Sequence, residues 1–311
     1  MPDTVSRRGR EQSLNSSGQP FRHEQPSPSP PPQRHQSLPQ TATELARLPD
    51  TFWSTVDAGC AELEVSLKPG ARAAIDAQVR LLLAWNGAIN LTALRTPEQI
   101  SGGHVLDSLS AVPVCLRVLA RSGVEPAAAG LLDLGSGAGY PGLPLALAAG
   151  VGRCGLVDSV AKKAAFLRVA AAAAESAVAE SGEVGPVFEV LAERAEDLAD
   201  EATHRAGWDI VIARAVGSLA EVAELSLPLL KVGGHLLAWK GEAGGGLRTE
   251  LEAARPVMRA AGGSRAHVER ADPTGALGLG DHVLVTIRKA RPTPDRYPRN
   301  PSERRRAALL R

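Results

Sequence analysis

The stretch Leu131-Leu132-Asp133-Leu134-Gly135-Ser136-Gly137-Ala138-Gly139-Tyr140-Pro141-Gly142 decides the fold. Its first half is a short apolar run of the length of a buried strand, and it passes through a glycine-rich turn into an apolar helix, Leu143–Ala149. Glycines permit positive φ and remove the Cβ atoms that would bar close approach, while the start of the following helix offers unpaired N–H groups. A ligand is therefore expected against this backbone.

Which ligand depends on how the glycines are counted. A literal GxGxxG occurs from Gly137 to Gly142, with Asp158 about 20 residues beyond, as a dinucleotide-binding turn would show. The first glycine after the strand, however, is Gly135, and Asp133 ends that strand where a pyrophosphate would be repelled. An acid there suits a cation. S-adenosylmethionine carries an amino group and a sulfonium, and D-x-G-x-G-x-G with a second acid after the next strand resembles its methyltransferases.

Working outward, short apolar strands alternate with Ala-rich helices after Gly123, the pattern of βαβ units and a mostly parallel sheet. Strands are expected at Gly130–Leu134, Gly152–Val157, Val187–Leu191, Trp208–Ala213 and His235–Trp239, with a late pair near Ala266–Glu269 and His282–Arg288. Helices are expected at Ala161–Ala179 and Leu219–Leu230. Upstream, apolar residues recur at three and four residue steps, predicting helices from about Leu48 to Leu67, closed by Pro69-Gly70, from Ala71 to Trp85, and from Pro97 to Ala120 with a break at Gly102-Gly103. The division that follows is a Pro/Ser/Gln/Arg-rich disordered tail at 1–45, a helical lobe at 46–122, a catalytic α/β domain at 123–290 and a basic tail at 291–311. Eight prolines within residues 1–40 leave little to bury there.

Composition narrows the class further. The chain of 311 residues carries a formal charge of only +1, but residues 291–311 hold seven Arg against Asp295 and Glu303, so attraction to a polyanion must come from local patches. Cys60, Cys115 and Cys154 form no CxxC pair, the seven His lie singly, and no apolar run or leader of membrane type is evident. A soluble cytoplasmic enzyme without metal, disulfides or membrane contact is the expectation.

Seven ordered blocks give a more specific reading. Trp85-Asn86 with Asn90-Leu91-Thr92-Ala93-Leu94, His104 to Leu109, the glycine turn with Tyr140-Pro141-Gly142-Leu143-Pro144, Val157-Asp158-Ser159 with Lys162-Lys163, Arg194-Ala195-Glu196, Ala213-Arg214-Ala215 and Trp239-Lys240-Gly241 resemble, in order, the small-subunit ribosomal RNA methyltransferase G family. The resemblance spans about residues 50–290. It implies a Rossmann-like class I methyltransferase, with helices on both faces of its sheet, that moves a methyl group from S-adenosylmethionine to guanine N7 of 16S ribosomal RNA, the partner being that RNA or its assembly particle. By the same carry-over Gly135, Gly137 and Gly139 lie against the cofactor, Tyr140 shapes the pocket beyond the turn, and Asp158 accepts from the ribose hydroxyls. Ala195 and Glu196 border the adenine, and Arg214 joins the cofactor site or faces the RNA.

Guanine N7 has a lone pair and no proton, so no general base is expected and none is assigned. Lys162-Lys163 reads as a solvated first helical turn, and His104 with Asp107 as a link between the lobes. Two features depart from the family: Gly103 where a basic residue is common, and Ser302-Glu303-Arg304-Arg305-Arg306 in place of the usual ending, which weakens any assignment of RNA contacts to that tail. The alternatives are a methyltransferase for a small molecule or protein, an inactive ribosome-binding module and, more remotely, a nicotinamide enzyme.

Overall fold

The computed structural model describes residues 37–242 and 245–309. Thus most of the expected N-terminal tail lies outside the described residues. Its last part, by contrast, is built into the fold. Trp85 Nε1 donates to Pro39 O at 2.7 Å, Arg80 donates to the carbonyls of Ala42, Leu45 and Ala46, and Ala42 is buried. The expected tail of 1–45 therefore ends sooner, because the carbonyls ahead of the first helix are satisfied by an arginine from the second.

The first helices are α1 (Asp50–Glu62) and α2 (Pro69–Ile89). Pro69 opens α2 instead of closing α1: at the first helical position its missing N–H costs nothing. α2 ends at Asn90, whose φ of 49° is a left-handed cap that Asn tolerates. The expected third helix is broken into α3 (Pro97–Ile100), a π-helical turn (Ser101–Leu106), α4 (Asp107–Leu109) and α5 (Val112–Arg121). Gly102-Gly103 loosens the helix into the wider turn without ending it. The run Pro97–Arg121 is long and apolar enough to cross a membrane by length and composition, contrary to expectation, but 67% of its most apolar window is buried inside the fold.

Seven strands follow: β1 (Gly130–Leu134), β2 (Arg153–Val157), β3 (Val187–Leu191), β4 (Trp208–Arg214), β5 (Leu230–Gly241), β6 (His267–Arg270) and β7 (His282–Arg288). They form one sheet in the order β3-β2-β1-β4-β5-β7-β6, parallel except that β7 runs antiparallel to both its neighbours. The remaining helices are α6 (Gly142–Ala149), α7 (Ala161–Glu180), α8 (Ala195–Leu198), α9 (Leu219–Leu229), α10 (Gly246–Ala260) and α11 (Pro301–Leu309).

Both faces of the sheet are covered at its centre, so β1 and β4 are buried at nearly every position, whereas the edge strands β3 and β6 are partly exposed. Successive residues feed opposite cores: Leu131, Ile210, Ile212, Leu237 and Trp239 pack with α1, α2, α5, α6 and α7, while Leu132, Val211, Ala213, Leu236 and Ala238 pack with α9 and α10. The helices of residues 46–122 thus share one continuous core with one face of the sheet. The carboxyl ends of β1, β2 and β4 lie side by side in register, Leu134 facing Val157 on one side and Ala213 on the other. Ligands bind outside such ends in open α/β sheets.

Candidate functional site

The glycine turn is built around two acids. Gly135, Gly137 and Gly139 have φ values of 74°, 57° and 83°, where a side chain is disfavoured. A Cβ on Gly135 would stand 2.7 Å from Val216 Cγ2, and one on Gly139 would stand 2.7 Å from Gln78 Nε2. Asp158 holds the turn in shape, since its Oδ2 accepts from Gly137 N at 3.1 Å and its Oδ1 from Val160 N at 2.9 Å, with Lys163 Nζ 3.8 Å away. Asp133 is fully buried and accepts from Gly142 N at 3.0 Å through Oδ2. Its Oδ1 has no hydrogen-bond partner, and burial pushes its pKa up to about 7 against the hydrogen bonds from Ser136 and Gly142.

Four of the expected site residues line one cavity of about 160 Å³: Gly135, Asp158, Ala195 and Glu196, joined by Ser159 and Val216. Drug-sized ligands commonly occupy roughly 300–1,000 Å³, so this cleft is narrow. Val216 narrows it, carried on a loop in which Ala215 and Gly217 both adopt positive φ. A larger concavity of about 720 Å³ lies elsewhere, among α1, α2, α7 and residues 40–43, and contains none of the expected site residues.

Tyr140 and Arg214 do not line the cavity; they belong to a neighbouring cluster at the β4 end. Arg214 donates to Asp107 Oδ2 at 2.5 Å, to Gly103 O at 3.2 Å and to His104 Nδ1 at 3.0 Å. His104 stacks on Tyr140 with ring centroids 4.6 Å apart, and its Nε2 meets Thr92 Oγ1 at 2.8 Å. Burial and the Arg214 charge push its pKa down to about 4, so the ring is neutral and its Nδ1 accepts from the guanidinium. Asp107, completely buried, also receives His282 Nδ1 at 2.8 Å, a hydrogen bond that holds the His282 pKa above its ordinary value. His104 and Asp107 are therefore joined to each other through Arg214, and α4, β4 and β7 meet there.

Acid should loosen this joint. In the unfolded chain His104 takes up a proton near pH 6.5, whereas the folded chain resists protonation down to about 4. Its contribution to stability is complete above 6.5 and falls as pH drops toward 4. Thermal melting should show a steeper loss between pH 7 and 5 for the native sequence than for His104→Gln; equal slopes would refute it.

Some participants were not read from the sequence. Gln78 Nε2 donates to Ala138 O at 3.0 Å, bracing the turn from α2. Its signal was available, for it is a lone amide on the apolar stripe of Ile75, Val79 and Leu82. His282 and Arg304, which pair with Asp107 and Glu196, come from distant segments and left no such local sign.

The donor set fits S-adenosylmethionine. The Asp158 carboxylate lines the cleft, Asp133 lies buried beneath the turn with one oxygen lacking a partner, and the glycine turn keeps side chains out, an arrangement that suits a cationic ligand better than a pyrophosphate. Fold and site together define a class I S-adenosylmethionine-dependent methyltransferase. The chain belongs to the rRNA small subunit methyltransferase G family, whose model matches residues 72–273. Proteins named ribosomal RNA small subunit methyltransferase G are similar to it. That of Moorella thermoacetica is 38% identical over 237 residues, covering 76% of this chain and 90% of the relative. That of Symbiobacterium thermophilum is 37% identical over 78% of this chain and 92% of its own length. That of Deinococcus radiodurans is 41% identical over 70% and 78% respectively. Among the described residues no group of three or more His, Cys, Asp or Glu side chains is placed to hold a metal ion.

Proposed function

We propose that the chain methylates N7 of a guanine in small-subunit ribosomal RNA, using S-adenosylmethionine held at the carboxyl ends of β1, β2 and β3. Membership of the family carries the substrate class, and the observation that carries the site is the single cavity joining Gly135, Asp158, Ala195 and Glu196. When bound, the cofactor supplies an electrophilic methyl group on a sulfonium. The glycine turn admits it against the backbone, and Asp158, each of whose oxygens has a second lone pair, accepts from the ribose hydroxyls while bracing Gly137. Asp133, buried beneath the turn, accepts from Gly142 N and keeps one oxygen without a partner. Arg214, clamped by Asp107 and His104, holds the β4 end and its loop toward Val216 in place.

Guanine N7 requires no deprotonation, so rate enhancement rests on holding the acceptor in line with the methyl group and on excluding water. Because N7 is hidden in the deep groove of A-form RNA, the target guanine is presented from an unpaired region. Transfer of labelled methyl to small-subunit particles lacking this modification, with the product mapped by the lability of N7-methylguanine to base-catalysed ring opening, tests the reading. Labelling of other small molecules or proteins, with none on the RNA, would overturn it.

Removing the Asp158 carboxylate tests the cofactor assignment. Asp158→Ala should weaken S-adenosylmethionine by about 1.5–3 kcal/mol, the range for hydrogen bonds to a charged group. A change of less than about twofold in a calorimetric titration means that the carboxylate does not meet the ribose.

A further inference from the structure

The basic segment after β7 does not leave the fold but runs back toward the cofactor cleft. Thr293 Oγ1 donates to Ala261 O at 2.6 Å, and Tyr297 is buried in the core beneath α9 and α10. Its carbonyl accepts from Arg205 at 3.1 Å. Arg299 then grips Glu224 of α9 with two guanidinium nitrogens at 2.8 and 2.5 Å, and Glu224 is buried. The last anchor is Arg304, which donates to Arg299 O at 2.9 Å and to Glu196 Oε1 at 2.9 Å.

Glu196 lines the cleft beside Ala195, and so does Leu225, the neighbour of Glu224 on α9. α8 and α9, which carry the two acids, therefore both contribute to the cleft lining. Burial alone would raise the Glu196 pKa, but its own backbone amide and the Arg304 guanidinium outweigh it and hold the carboxyl below its usual range. With side chains only 11% and 17% exposed, Arg304 and Glu196 are screened less than an ordinary surface pair. One guanidinium bridges a carbonyl of its own segment and a carboxylate of the cleft, a geometry that a single ammonium does not reproduce.

We infer that Arg304 is a positioning residue for the methyl donor: by holding Glu196 it fixes the α8 wall of the cleft, so the C-terminal segment is part of the cofactor site as well as a basic face. The inference rests on the reading of this cleft as the S-adenosylmethionine site.

The test is calorimetric titration of the full-length chain with S-adenosylmethionine, without RNA, for Arg304→Ala, Arg304→Lys, Glu196→Gln, the double variant Arg304→Ala/Glu196→Gln, and Asp158→Ala. Arg304→Ala should raise the dissociation constant about five- to tenfold, less than loss of a direct charged hydrogen bond to the ligand because Arg304 acts through Glu196, with partial recovery in Arg304→Lys. The Michaelis constant for the donor should rise by the same factor while kcat at saturating donor stays within about twofold, as expected for an interaction that holds ground and transition states alike. In the Glu196→Gln background Arg304→Ala should add little, because the pathway runs through that carboxylate. If Asp158→Ala weakens binding and Arg304→Ala does not, or if the two effects at 304 and 196 simply add, the positioning role is refuted. If Asp158→Ala also leaves affinity unchanged, the cleft is not the cofactor site and both readings fall.

Discussion

Gly135→Val is expected to lower S-adenosylmethionine affinity at least about a hundredfold, roughly 2.8 kcal/mol, while the chain remains folded. Two effects combine at this residue. Its φ of 74° lies in the left-handed region, where an L residue costs roughly 1–2 kcal/mol and a β-branched one more. Its Cβ would also stand 2.7 Å from Val216 Cγ2, so the added isopropyl group occupies a cleft of only about 160 Å³ or drives the β4 loop outward. Gly135 is exposed, which keeps the clash out of the core. Gly137→Ala is the control: φ is 57° there but the nearest non-adjacent atom to its Cβ, Gly135 O, is 3.8 Å away, so backbone strain of about 1 kcal/mol should be the main cost. Comparable affinities for the two variants, or a Gly135→Val constant within about threefold of the native one, would show that the ligand does not pass over this turn.

The sheet was legible because its signal is local. Each parallel strand is an apolar run bounded by Gly or a polar residue, and β7 was placed at His282–Arg288 with the bounds observed. The β1 turn was legible for the same reason, since glycines at 135, 137 and 139 state a backbone requirement in the sequence itself. Boundaries set by tertiary partners were harder to read. Pro69 reads as the close of the first helix, whereas it opens α2, where its missing N–H costs nothing. Residues 38–46 carry no periodic pattern, yet Arg80 gathers three of their carbonyls, those of Ala42, Leu45 and Ala46. The C-terminal arginines looked like a free basic tail because their partners, Glu224 and Glu196, lie 75 and 108 residues away. Charge pairs at such separation leave no period to detect. For the same reason the sequence leaves Arg214 to the cofactor site or the RNA and gives no sign that its guanidinium is bound by Asp107 and His104.

The largest loss of stability is expected from Asp107→Ala. This carboxylate is completely buried and accepts from Arg214 at 2.5 Å and His282 at 2.8 Å, while its backbone carbonyl receives Trp239 Nε1 at 3.2 Å. Alanine keeps the last contact and deletes the other two, leaving the largely buried Arg214 guanidinium without its anion. Breaking a buried pair by removing one partner typically costs about 3–5 kcal/mol, because the remaining charge stays desolvated. In a chain of this size that corresponds to a melting temperature lower by roughly 10 °C. Asp107→Asn should fall between the two, retaining one acceptor oxygen without the charge. Arg214→Ala in the Asp107→Ala background should cost much less than in the native chain, since the orphaned cation is then gone. Chemical denaturation of the four proteins measures the cycle. A loss below about 1 kcal/mol for Asp107→Ala, or full additivity with Arg214→Ala, would mean that the Asp107–Arg214 pair contributes little to joining the helices before β1 to the β4–β7 region.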